Sequence, residues 1–142
     1  MRSLFDVSIL LALIDTAHAR HGDVVRWVST RRGDGWATCP LTQNGFVRII
    51  SQRSYANPFD LPDAVAALRA TVALPDHEFW PDDFSILDDA HVDHTRLLGP
   101  KQITDVYLLA LAVKHGGRFV TLDSGISYRA ARGGRPENLV VL

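Results

Sequence analysis

Strand-like and helix-like segments alternate along the whole chain, and that alternation constrains the fold more than any other feature. Leu4-Phe5 is a short apolar start ending at Asp6, after which Ile9, Leu10, Leu13, Ile14 and Ala17 recur at helical spacing. His21 to Arg32 sets Val24, Val25, Trp27 and Val28 among polar residues, a second helix halted near Gly33 and Gly35. Trp36 to Cys39 reads as a strand, and Pro40 suits the first turn of a helix carrying Phe46, Val47 and Ile50. After a loop over Ser54 to Phe59, Asp60 can cap a helix that holds Pro62 in its first turn and ends before Pro75. Glu78-Phe79-Trp80 is a strand candidate, and a short helix is expected around Ile86 to Val92. Thr104 is expected as the N-cap of a helix with Val106, Leu109, Ala110 and Val113 on one face, ended by Gly116-Gly117. Arg118 to Leu122 then forms a strand, Asp123-Ser124-Gly125 a turn, and Leu139 to Leu142 a last strand.

The pattern predicts one α/β domain over residues 1–142, a central parallel sheet of about five strands with helices on both faces. Cys39 is the only cysteine, which excludes an internal disulfide and fits a cytoplasmic protein. Arg2, the apolar run Val7 to Ile14 and Ala17-His18-Ala19 imitate a signal peptide, but Asp6 interrupts the approach to the apolar run. No apolar run approaches the roughly 20 residues of a membrane span, so no membrane association is expected.

In such open sheets, ligands bind beyond the carboxyl ends of the strands, where strand order reverses. Asp6 closes the first strand and Asp123 a late one; as parallel neighbours, about 4.8 Å apart, they would emerge at one edge. Asp105, near the start of the helix feeding the late strand, can face the same edge. Three carboxylates in one crevice repel unless a cation compensates, and oxygen ligands with little His or Cys nearby favour Mg²⁺ or Mn²⁺ over Zn²⁺. Such an ion lowers the pKa of bound water and neutralises a phosphoryl oxygen, as phosphodiester hydrolysis requires. A plainer alternative stays open, in which Asp6 and Asp123 cap helices or turns and Asp105 complements a helix dipole.

Taken together, Leu4-Phe5-Asp6-Val7-Ser8, Thr104-Asp105 on an apolar helix, and Thr121-Leu122-Asp123-Ser124-Gly125 resemble the PIN-domain ribonucleases. The stretch from Gly99 through Thr104-Asp105, Gly116-Gly117 and Arg118 to Asp123 is similar to the C-terminal signature of VapC-type toxins of type II toxin-antitoxin systems. The resemblance implies a three-layer PIN-like fold and a Mg²⁺- or Mn²⁺-dependent endoribonuclease that hydrolyses RNA. It implies Asp6, Asp105 and Asp123 as metal ligands and catalytic residues, a homodimer, and a cognate antitoxin protein as partner. One departure stands out: the family has a Glu within a Thr-Glu pair where this chain reads Thr42-Gln43-Asn44-Gly45. Gln43, the possible fourth position, offers a carbonyl oxygen or a hydrogen bond but no charge. Three function classes therefore remain in view. The first is the nuclease, and the second is a catalytically weakened PIN-like module that binds RNA or antitoxin. The third, a phospho-acceptor signalling domain, would need a Lys at the end of the last major strand, and none follows Arg118.

Ser8 and Ser124, beside the acids, can orient water or serve as cap and turn residues. Thr104, with Lys101 nearby, can hold a phosphate oxygen at a helix N-terminus. Asp88 or Asp89 are candidates to supply the charge that Gln43 lacks. His91-Val92-Asp93-His94 reads as a surface loop rather than a zinc site, and His18 and His21 as capping or packing residues. Trp27 and Trp36 are expected in the core, whereas Trp80 is the tryptophan expected to be exposed and able to stack a base. The net charge of −1 creates no global attraction to nucleic acid. Thirteen of the fifteen basic residues are Arg, whose planar fork suits phosphate oxygens. Arg31-Arg32 and Arg129, Arg132 and Arg135 are thus either solvated faces or phosphate contacts.

Overall fold

The computed structural model describes residues 1–142. In chain order the elements are β1 (Ser3–Phe5), α1 (Val7–Ile14), α2 (His21–Ser29), β2 (Trp36–Thr38), α3 (Pro40–Ile50), α4 (Leu61–Val72), β3 (His77–Phe79), α5 (Ile103–Lys114), β4 (Arg118–Thr121) and β5 (Leu139–Val141). The strands form one sheet in the order β3-β2-β1-β4-β5, and every pairing is parallel. From β1 the chain first builds outward through β2 and β3, then returns to the other side of β1 for β4 and β5. Strand order thus reverses between β1 and β4, the strands that Asp6 and Asp123 follow.

The period-2 alternation of the strands divides the core into two layers. Phe5, Trp36 and Val120 face α1, α3 and α4, packing with Ile9, Leu10, Phe46, Ile50 and Leu68. Leu4, Ala37 and Phe119 face α5, whose residues Val106 to Ala112 are all buried. A helix buried on every side needs a cover away from the sheet. Phe84, Ile86, Val92 and Leu97 provide it, together with Ala130 and Ala131.

That cover replaces the helix expected around Ile86 to Val92. The segment is a run of turns, in which Ser85 Oγ accepts from Leu87 N and Asp88 Oδ1 from Ala90 N, local bonds that compete with helix formation. Val92 is buried and forms an isolated antiparallel bridge with Ala131. Its apolar spacing therefore reflects a strap over α5. The start of α5 also differs: Gln102 is the capping residue, and Thr104 is an exposed second residue of the helix. Its end follows the sequence, with Gly116 at φ +64° and Gly116 N and Gly117 N donating to Val113 O and Ala112 O.

Trp80 lies elsewhere than expected, and Trp27 joins the core only at its edge. Trp80 is only 2% exposed, its ring stacked 4.3 Å from that of His115, which excludes it as a platform for a base. Trp27 is half-buried, with the guanidinium carbons of Arg31 and Arg118 at 4.4 and 5.2 Å from its ring centroid. Trp36 is in the core, stacked on Phe5. Gly45 lets α3 approach α1, since a Cβ there would lie 2.5 Å from Val7 Cγ2.

Candidate active site

Asp6 leaves the end of β1 as the N-cap of α1 and is only 6% exposed. Its Oδ1 accepts from Val7 N (2.6 Å), and its Oδ2 accepts from Ser8 Oγ (2.6 Å) and Thr121 Oγ1 (2.7 Å). Each of those hydroxyls also accepts a backbone amide beyond β4: Ser8 Oγ from Leu122 N (3.1 Å) and Thr121 Oγ1 from Asp123 N (3.0 Å). The two hydroxyls therefore staple the end of β1 to the end of β4. Three of the roughly four acceptor directions of the Asp6 carboxylate are occupied, and the one left is on Oδ1. Ser8 acts here by holding Asp6 and the turn. Thr121, which does not stand out in the sequence, does the same; its signal there is a strand-end hydroxyl two residues before an acid.

Asp105 lies in the first turn of α5, half-buried, and Asp123 is exposed on the turn after β4. Burial first, then the charges of Asp6 and Asp123, push the Asp105 carboxyl up to about 6. The structure thus brings the three acids into one electrostatic group. As the side chains stand, no three His, Cys, Asp or Glu groups close on a point that could hold an ion. Direct ligation by all three would need rotation, for which the exposed Asp123 is free, or bridging water. Mg²⁺ characteristically keeps several of its waters. The donor set, all carboxylate oxygen with one crowded acid, suits a hydrated hard cation.

Gln43 sits in α3 with its Nε2 donating to Thr38 Oγ1 (2.9 Å), which in turn contacts His77 Nε2 (2.8 Å). Thr38 shares the Trp36 face of β2, opposite α5, so the Gln43 amide is engaged on the α4 side of the sheet. Asp88 and Asp89 are taken up elsewhere, beside His91 (3.9 Å) and His94 (2.9 Å) in the strap over α5. The His91 to His94 segment is a loop, as its sequence suggests, with His94 Nε2 against Ile86 O. His18 Nδ1 accepts from Arg20 N and His21 Nδ1 lies 2.8 Å from Ala12 O, both ordering the α1–α2 connection. Asp82, another residue that the sequence does not single out, caps α3 through Leu41 N (3.1 Å). Cys39 is buried, which pushes its thiol up to about 12 and leaves it inert as a nucleophile.

Thr104 and Ser124, each next in sequence to one of the acids, and Lys101 just before α5 are all exposed. Of the Arg129, Arg132 and Arg135 cluster, Arg132 is drawn to Asp93 (3.4 Å), which Arg96 also approaches (3.9 Å), and Arg135 to Glu137 (3.9 Å), while Arg129 Nε donates to Tyr128 Oη. No helix is long and apolar enough to cross a membrane.

Comparison with known proteins places this arrangement. The PIN domain family model matches residues 3–132. Ribonuclease VapC44 of Mycobacterium tuberculosis is 46% identical over 142 residues, the whole of both chains. Ribonuclease VapC38 of the same species is 40% identical over 99% of this chain and 96% of its own. Among solved structures, VapBC2 from Rickettsia felis bound to a DNA fragment from their promoter matches with a TM-score of 0.59 at 10% identity, over 100% of this chain and 98% of that one. Mycobacterium tuberculosis VapC20, a Sarcin-Ricin loop cleaving toxin, gives a TM-score of 0.56 at 17% identity, over 82% and 85%. With a family match spanning both ends of the acidic site and full-length VapC relatives, the chain belongs to the PIN domain family, in its VapC branch.

Proposed function

We propose that this protein is a Mg²⁺- or Mn²⁺-dependent endoribonuclease and the toxin of a toxin-antitoxin pair. The observation that carries the reading is the meeting of Asp6, Asp105 and Asp123 where strand order reverses, with Asp105 pushed up to about 6 by its burial and its neighbours. The full-length relatives named ribonucleases support RNA as the substrate. Bound there, the cation would supply Lewis acidity toward a phosphoryl oxygen and lower the pKa of its water. The chain's own part is to position. Ser8 and Thr121 lock Asp6 through Oδ2, leaving one acceptor position on Oδ1. Asp105 is ionised above about pH 6 and then carries the charge that a cation must offset. Thr104, Ser124 and Lys101 are exposed hydrogen-bond donors for phosphate oxygens or water.

A groove of about 680 Å³ between α1, α2 and α4, lined by Leu13, Ile14, Val25, Val28, Ala67 and Leu74, is the surface we assign to the antitoxin. Val25 and Leu74 are 38% and 51% exposed there, an apolar face suited to an amphipathic segment. A homodimer is the expected state of the free chain, and light scattering that finds a monomer at micromolar concentration would overturn it. The weakened-module reading keeps one observation in its favour, the neutral Gln43. RNA cleavage with and without Mg²⁺ or Mn²⁺, beside an Asp105→Asn control, decides between the two. Ion-dependent cleavage lost in the control supports the nuclease, and RNA binding without cleavage supports the module.

A further inference from the structure

Asp105 and Asp123 stand on separate segments, one at the start of α5 and one on the turn after β4, and like charges drive them apart. On the far side, these segments are joined by the strap: Asp93 N donates to Ala130 O and Arg132 N to His91 O. On the near side one side chain spans the gap. Gln102 Nε2 donates to Gly125 O, and Gln102 Oε1 accepts from Leu98 N (3.1 Å). The contact is also seen from the glycine, since a Cβ at Gly125 would lie 3.6 Å from Gln102 Nε2. No other hydrogen bond joins residues 97–105 to residues 122–127. Gln102 precedes Asp105 by three residues, on the same face of the helix start, and Gly125 follows Asp123 by two.

We infer that Gln102 is a positioning residue that sets the separation of Asp105 and Asp123 and thereby the affinity of the site for its divalent cation. The inference rests on the metal-dependent reading above. Neither end of the Gln102 amide is a metal ligand. It acts by holding the Asp123 turn against the α5 entry, so that fewer arrangements of the two acids must be frozen when an ion arrives.

The test is Mn²⁺ titration by calorimetry on the RNA-free protein, comparing wild type, Gln102→Met, Gln102→Asn and Asp105→Asn. Met keeps the length and apolar stem of Gln and removes both hydrogen bonds; Asn keeps the amide but is too short to span the gap. Both variants should bind Mn²⁺ roughly tenfold more weakly. Their metal-free melting temperatures should stay within about 3 °C of wild type. Cleavage should be depressed at limiting Mn²⁺ and recover at saturation. Wild-type affinity in both Gln102 variants overturns the inference. So does weakened binding that tracks a lowered metal-free melting temperature without recovery at saturation, since that marks a merely structural role. Undiminished binding in Asp105→Asn would instead overturn the metal reading, and the tie with it.

Discussion

The two sides of the acidic crevice are built in opposite ways. Asp6 is buried, capped and held by three hydrogen bonds, two of them from hydroxyls that also bind the backbone beyond β4. Asp105 and Asp123 sit on a helix start and an exposed turn, and neither carboxylate is fixed by a comparable set of donors. One acid is therefore pre-organised by the fold, while the other two are not. This matches their covalent context. A strand end flanked by Ser8 and facing Thr121 offers donors to Asp6, whereas the polar side chains of residues 98–102 and 123–127 that form hydrogen bonds, Gln102 and Ser127, are engaged with backbone and not with Asp105 or Asp123.

The contrast can be broken most sharply by neutralising each side in turn. Asp6→Asn and Asp123→Asn should both abolish ion-dependent RNA cleavage, because each removes a charge from the same site. Only Asp6→Asn should also weaken the fold, by about 1–3 kcal/mol in denaturant unfolding, since an amide cannot accept all three bonds. Asp123→Asn should change stability by no more than about 0.5 kcal/mol. Equal stability losses in the two would show that the sides are not built differently.

The next effect belongs to the hydroxyl staple. Thr121→Val keeps shape but removes the donor to Asp6 Oδ2 and the acceptor of Asp123 N. Cleavage should fall about 10- to 100-fold, with metal affinity falling alongside. Ser8→Ala should behave similarly, because it too removes one donor to Oδ2 and the acceptor of one backbone amide, Leu122 N. Wild-type kinetics in Thr121→Val would show that the cap and Ser8 hold Asp6 without Thr121.

On the loop side, removing charge should stabilise the metal-free protein. Asp105 has a folded pKa of about 6 against an ordinary 3.8, so the folded state holds its proton more tightly than the unfolded chain. Its ionisation therefore costs stability as pH rises from about 4 through 6, and the full cost stands above 6. The shift corresponds to about 3 kcal/mol, and partial solvation of the group reduces that to about 1–2 kcal/mol. Asp105→Asn should gain that amount at pH 7.5 and nothing below pH 4 when unfolding is followed without metal. A gain independent of pH would point to packing rather than charge.

The acids and the sheet were legible in the sequence because each rests on local pattern. Apolar runs ending at Asp6 and Asp123, and a helix opening near Asp105, put the acids at one edge once parallel strands are assumed, but leave their capping roles open until the family resemblance is added. Thr121 and Gln102 were not legible, since their roles depend on contacts with Asp6, 115 residues away, and Gly125, 23 residues away. The strap over α5 imitates a helix in the sequence because Ile86 and Val92 have apolar spacing, while the turn-forming bonds of Ser85 and Asp88 decide the backbone. Trp80 looks exposed beside Pro81-Asp82-Asp83, yet its ring is covered by His115 from the far end of α5.

Gln43 offers the smallest and finest test. From sequence alone, Gln43→Glu adds a fourth anion beside the three acids and should tighten Mg²⁺ or Mn²⁺ binding and raise cleavage at limiting metal. In the structure the side chain is engaged differently, because its Nε2 donates to Thr38 Oγ1, which contacts His77 on the α4 side of β2. A carboxylate cannot donate, so Thr38 would have to turn its hydroxyl toward Glu, and His77, whose pKa is lowered chiefly by burial, would lose that partner. While Glu stays on that side, its charge reaches the crevice only at a distance and through screening solvent. We therefore expect metal affinity to change by less than about threefold, roughly 0.6 kcal/mol. Calorimetric Mn²⁺ titration of both proteins, with cleavage followed across the same range, measures it. Tightening of tenfold or more would mean that the Glu leaves Thr38 and swings to the acids, making residue 43 a position of the metal site and extending the pre-organised side of the crevice to α3.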